Sequence, residues 1–210
     1  LPGVRDWFAA YPFACLEQKT SKSIGLRDAK LWASVVAQMP TYLDRDGLAH
    51  YFPPRDGDAN RGSDALTAYI LAATHEAAQI NPAFALPDEV RGTMERGLIA
   101  FVEGRIQREF WSPRKDLDVR KLTALEALSR TGKVQGRMLA SLNIAPNQWP
   151  THAVIDWMQV LRRTADAPQR DQRLAEAQQI LRGRLSYQGT KVLFSTERDD
   201  YWWWLMTNGD

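Results

Sequence analysis

The single cysteine of the chain, Cys15, stands in the stretch YPFACLEQKTSK at residues 11–22, with Gln18 three positions after it. Residues three apart on a helical turn have Cβ atoms about 5–6 Å from each other, so a short thiol and a longer carboxamide at this spacing can meet. Three chemistries follow from those residue types. The thiol packs as a small apolar group, the commonest fate of a lone cysteine. It attacks as a thiolate, favoured by the positive end of a helix dipole. Or it adds to the Gln18 carboxamide carbon and expels ammonia, leaving an internal thioester that stores an electrophile. The second chemistry needs a histidine partner, and His50, His75 and His152 lie too far along the chain for spacing to tie any of them to Cys15.

No other motif assembles a site. His75 and His152 lack companions at ligand spacing, and one cysteine excludes the usual zinc sets, so no metal is expected. A glycine-rich phosphate loop is missing too, and no cofactor is expected. With 27 basic and 25 acidic residues the net charge is +2, which gives no electrostatic reason to expect nucleic acid or an anionic membrane as partner. No apolar run reaches the roughly 18 residues of a membrane span. The aromatic runs HYFPP at 50–54 and Trp202–Trp204 could stack sugars or bases, but no paired carboxylates at a spacing that suits a glycosidase accompany them.

The elements that must position Cys15 and Gln18 read as helices separated by Pro, Gly and Asp clusters. Cys15 opens the first long one, with Pro12 in the preceding turn and Leu16, Lys19, Lys22 and Ser23 following without a breaker. The stretch LDRDGLAHYFPPRDGDANRG has no sustained period and reads as a long surface connection. Ser63 or Asp64 caps DALTAYILAATHEAAQI, whose small Ala65, Ala68, Ala72 and Ala73 let a neighbour approach and imply burial on most sides. PDEVRGTMERGLIAFVEGRI starts with Pro87 and two acids and carries Val90, Met94, Leu98, Phe101 and Val102 on one stripe. DLDVRKLTALEALSRTGK sets Leu122, Leu125 and Leu128 inward and stops at Gly132. WPTHAVIDWMQVLRR and QRDQRLAEAQQILRGR repeat the style. TKVLFSTERDDYWWWLM alone reads as a β-hairpin, two β-prone runs around a charged turn. Successive helices with short links predict an all-α array of antiparallel pairs. The opening LPGVRDWFAA has neither an initiator methionine nor a signal peptide, and the closing TNGD has capping chemistry with no helix behind it. A piece of something longer is expected.

The string YPFACLEQ resembles the thioester signature of the α2-macroglobulin and complement family, whose bacterial branch typically has a Tyr-Pro pair and then Cys-Leu-Glu-Gln. Tyr11, Pro12, Cys15, Leu16, Glu17 and Gln18 all fall in place, and Ala14 departs from the glycine of many relatives. GSDALTAYIL at 62–71 looks like the helix that follows the long loop in these thioester domains, and DVRKLTALEAL at 118–128 resembles a later bacterial helix.

The resemblance implies one thioester domain over residues 1–210, an α/α toroid of helical hairpins with its last helices missing. It implies a single-use covalent protease trap and not an enzyme: a protease cuts a bait elsewhere in the parent, the thioester is uncovered, and a lysine amine on the attacker is acylated. Cys15 would be the leaving thiol and Gln18 the acyl donor, Leu16 and Glu17 would complete the motif, and Tyr11 would shield the bond from water. Other domains of the parent, and cell-wall enzymes, would be further partners, in the periplasm at the inner membrane. An α/α-toroid carbohydrate-active enzyme and a helical interaction module with an inert cysteine are the alternatives.

Overall fold

A computed structural model of the chain describes residues 2–12, 14–54, 62–108, 117–143 and 145–194. They fall into two compact units, Leu1–Trp111 and Ser112–Asp210. The expected all-α class holds, with one small two-stranded antiparallel sheet near the C-terminus. Among the described residues no helix is long and apolar enough to cross a membrane.

The first unit contains α1 (Pro2–Ala10), α2 (Leu16–Leu26), α3 (Ala29–Gln38), α4 (Asp64–Ile80) and α5 (Asp88–Val102). α2 is central, packing on α1, α3 and α4, while α4 also packs on α5. α1 goes beyond the sequence expectation. Its exposed Val4 and Trp7 blur the apolar stripe that would announce a helix. The long helix expected from Cys15 breaks at Arg27, a left-handed residue at φ 55°. That conformation costs about 1–2 kcal/mol for a residue with a Cβ. Asp28 offsets much of it by capping α3, its Oδ1 accepting the amides of Lys30 and Leu31 at 3.0 Å, a cap of about 1 kcal/mol.

Ser63 is the cap of α4, its Oγ accepting the Leu66 amide at 3.1 Å. α4 buries one broad face, with Leu66, Ala68, Ile70, Leu71, Thr74 and Ala77, and leaves Tyr69, Glu76 and Ile80 exposed, so it is less enclosed than its alanines suggest. α5 starts after Pro87 with Asp88 and Glu89 in its first turn, and its stripe from Val90 to Val102 is buried as expected.

The second unit holds α6 (Leu117–Ser129), α7 (Thr151–Arg163) and α8 (Arg170–Gly183), with α7 packed on both others. Leu122, Leu125 and Leu128 lie fully inside, and Gly132 follows α6 at φ 69°. Trp149 packs edge-on against Trp157 with centroids 5.8 Å apart. The buried Arg184 guanidinium donates to Trp149 O at 2.7 Å, Thr151 Oγ1 at 3.0 Å and Asn147 O at 3.2 Å, fixing the start of α7. The hairpin pairs β1 (Leu185–Gln188) with β2 (Lys191–Phe194), Leu185 opposite Phe194. The run KVLF is therefore its second strand and not its first, because Gly189 at φ 62° supplies a tight turn before it. The downstream run with Trp202–Trp204 lies outside the described residues.

Glu126, buried in α6, accepts from Arg163 Nη1 at 2.7 Å and Arg130 Nε at 2.9 Å. Asp156 on α7 shares this environment. Burial first, and the Glu126 charge second, push its carboxyl up to about 7, against the opposing pull of Arg130 and Arg163. A carboxyl whose folded pKa is raised stabilises the fold fully below the unfolded value, and that contribution is lost as pH rises toward 7. Asp156→Asn stays neutral in both states. We expect its stability gain over the parent to grow from pH 4 to pH 7 by about 2 kcal/mol after allowing for partial exposure, and to level off above. That is roughly 4–8 °C in Tm for a chain of this size, read from thermal melts across the pH series. A gain independent of pH would remove Asp156 from this account.

Candidate functional site

Cys15 is the N-cap of α2, with extended backbone at φ −69° and ψ 165°. Gln18 occupies the third helical position and reaches back, its Oε1 accepting the Cys15 amide N–H at 3.1 Å. This is the glutamine half of a capping box, and it satisfies an amide that the helix itself cannot. The same bond turns the Gln18 carboxamide toward the backbone that carries the thiol. Cys15 is 6% exposed.

The other signature residues have separate duties. Leu16 is fully buried and anchors the first turn in the core, while its amide donates to Tyr51 O at 2.8 Å. Glu17 is half-buried, and its Oε1 accepts from Ser21 Oγ at 3.0 Å, which in turn meets Tyr69 Oη of α4 at 2.7 Å. Glu17 thus ties α2 to α4, a role its sequence position did not reveal. Tyr11 is half-buried with its ring tilted on Trp7, centroids 4.6 Å apart, and its amide on Phe8 O at 3.4 Å. Ala14 is exposed, so the methyl that replaces a glycine there meets no crowding from the core.

Tyr51 belongs to the site and was missed. Its residue is 42% exposed, yet the phenol is desolvated enough to be pushed above its ordinary pKa; the hydrogen bond to the Ser63 side chain opposes this, and the charges of Glu17, Cys15 and Asp64 add to it. The Tyr51 main chain stands beside the Cys15 turn, where its carbonyl accepts the Leu16 amide at 2.8 Å. The only sequence cue was the aromatic run HYFPP, which carries no spacing relation to Cys15.

Of the stretch expected as surface connection, Asp44, Gly47–His50 and Gly62 fold inward, while 51–54 are exposed as expected. Leu48 and Ala49 are fully buried, and Ala49 bridges Leu43 on one side and Ser63 on the other. Asp44 is the hub: Oδ1 accepts the amides of Asp46 and Leu48 at 2.9 Å, and Oδ2 accepts that of Gly62 at 3.1 Å. Arg108 closes the clasp, Nη2 donating to Asp44 at 2.6 Å and Asp46 at 2.7 Å, Nε to Gly62 O at 3.0 Å. Burial opposes the Arg108 charge, and the hydrogen bonds to Asp46 and Asp44 outweigh it, so its pKa is raised. A Cβ on Gly62 would stand 2.4 Å from Leu48 O, which is why no side chain fits there.

His50 is buried in the same segment, its amide on Tyr42 O at 2.8 Å and its Nε2 without a partner among the described residues. His75 lies on α4 and His152 on α7 of the second unit. No group of three possible metal ligands occurs among the described residues.

No family model and no curated protein matches the chain. Two solved structures do. One is the crystal structure of native α2-macroglobulin from Escherichia coli from domain MG7 to the C-terminus, at 17% identity and a TM-score of 0.60, covering 85% of this chain. The other is the cryo-EM reconstruction of the native conformation of E. coli α2-macroglobulin, at 18% identity and a TM-score of 0.59, covering 86% of this chain. The chain spans 30% of the first and 12% of the second. At these identities the likeness is one of fold, and the fold of this chain is one found within the C-terminal region of E. coli α2-macroglobulin.

Proposed function

We propose that this chain is the thioester-bearing part of a bacterial α2-macroglobulin-like inhibitor that captures attacking proteases covalently, once per molecule. The observation that carries the reading is the Gln18 carboxamide held 3.1 Å from the Cys15 amide, inside a complete Cys-Leu-Glu-Gln string. The fold-level likeness to E. coli α2-macroglobulin supports it.

The chemistry follows from the turn. The Cys15 sulfur adds to Gln18 Cδ, and negative charge develops on Oε1, where the Cys15 N–H and the positive end of α2 stabilise it. The thiol proton passes to Nε2, the C–N bond breaks, and ammonia leaves. When an attacker arrives, a lysine amine adds to the same carbon, the C–S bond breaks, the sulfur takes up the amine proton, and Gln18 ends amide-linked to the attacker. The departing thiolate sits at a helix N-terminus, a field that favours negative charge. Until then the bond must be kept from water. Trapping takes place in the periplasm, where the parent chain holds this part at the inner membrane.

Intact mass of freshly prepared protein, before and after methylamine, tests the reading. We expect a deficit of one ammonia at first, then one methylamine adduct at Gln18 and a newly titratable Cys15 thiol. An unchanged mass with the thiol present throughout would overturn it and leave an interaction module.

A further inference from the structure

Cys15 is nearly inaccessible although Pro12 and Ala14 just before it are exposed. Residues 48–51 form the segment tied to its neighbour Leu16. Their backbone is pinned at each step: the Leu48 carbonyl accepts the Asp44 amide at 2.9 Å, the Ala49 amide donates to Thr67 Oγ1 at 2.9 Å, and the Ala49 carbonyl accepts the Ser63 amide at 2.8 Å. The His50 amide reaches Tyr42 O, and the Tyr51 carbonyl takes the Leu16 amide, both at 2.8 Å. Tyr51 is therefore fixed at its main chain to the residue next to Cys15. A main chain held on the first turn of α2 keeps the Tyr51 ring near that turn.

We propose that Tyr51 is the positioning residue that governs access to Cys15, its carbonyl holding the first turn of α2 and its ring closing that turn off from solvent. The electrostatic coupling of the phenol to Cys15 and Glu17 agrees with that placement. Its consequence for bond lifetime rests on the thioester reading above; its consequence for the thiol does not. The segment that carries Tyr51 is latched by the Asp44–Arg108 clasp, so control over the reactive turn is built into this unit.

Two measurements on the full chain separate the inferences. In a Gln18→Glu background, where no thioester can form, adding Tyr51→Ala is expected to raise alkylation of Cys15 by iodoacetamide about tenfold, while Tyr51→Phe, which keeps the ring and loses only the Ser63 bond, changes it less than about threefold. In the otherwise unaltered chain, Tyr51→Ala is expected to speed loss of the ammonia-deficient mass in plain buffer by a similar factor, with the helical circular dichroism kept. Equal alkylation rates in the three proteins, with folding intact, would overturn the role of Tyr51 whatever the state of the bond. Faster alkylation with no ammonia deficit in any protein would uphold the control of access and overturn the thioester reading alone.

Discussion

Arg108→Ala is expected to lower the stability of the first unit by about 3–5 kcal/mol, the range for removing one partner of a buried ion pair and leaving the other charge uncompensated. The geometry puts it in that class. The Arg108 side chain is 10% exposed and that of Asp44 is fully buried, so neither charge is screened as a surface pair would be. Asp44 keeps its three backbone donors in the variant, which limits the cost. Gly62 O loses its guanidinium donor, and the crowded backbone around Gly62 has no room for a side chain to compensate. Urea unfolding of the variant reads the total. Amide exchange reads the place: protection at Asp46, Leu48 and Gly62 is expected to fall before that of α4 or α5, because those three amides all end on Asp44. Arg108→Lys keeps the charge but cannot form the fork to two carboxylates and a carbonyl, so it recovers part of the loss. Stability of both variants within about 0.5 kcal/mol of the parent would show the clasp to be ornamental.

The reach of that clasp explains what the sequence could and could not disclose. Helices α4 to α8 were legible because their information is local: Ser63 and Pro87 at the starts, Gly132 after an end, and apolar residues at helical spacing in between. The break at Arg27 was not, since the left-handed residue is neither glycine nor asparagine, and only the Asp28 cap hinted at a new start. The hairpin's strand before Gly189 was not legible, because LSYQ has no strong β pattern of its own and is half-buried at best.

The site divides along the same line. Cys15, Leu16, Glu17 and Gln18 lie within one turn, so spacing alone brings two of them together and burial explains a third. Arg108 meets Asp44 across 64 residues and Gly62 across 46, and Tyr51 reaches Leu16 through a main-chain carbonyl that no side-chain pattern encodes. Glu17 is the intermediate case. Its link to Ser21 is an i,i+4 pair that could be read off the helix, but the Tyr69 hydroxyl that completes the tie comes from α4.

Gln18→Glu and Gln18→Ala are expected to abolish methylamine incorporation alike, by at least about a hundredfold, yet to differ in stability, and the difference isolates chemistry from structure. A carboxylate at position 18 accepts the Cys15 amide as the carboxamide does, since Glu and Gln serve equally at this place in a capping box. Its fold should therefore be unchanged. What it lacks is ammonia as a leaving group: condensing a thiol with an ionised carboxylate would have to expel oxide or hydroxide, which does not proceed unaided in water. Alanine removes the reaction and also the acceptor, leaving the Cys15 amide unpaired at a buried helix start, at a cost of about 1 kcal/mol. Cys15→Ala removes the sulfur and keeps the Gln18 bond to the backbone, so it should lose incorporation with little change in helix capping. Mass spectrometry of the three variants after methylamine, beside their urea midpoints, gives both readouts. Incorporation that survived Cys15→Ala would mean that the amine reaches Gln18 without a thioester, and the covalent trap would have no warhead in this turn.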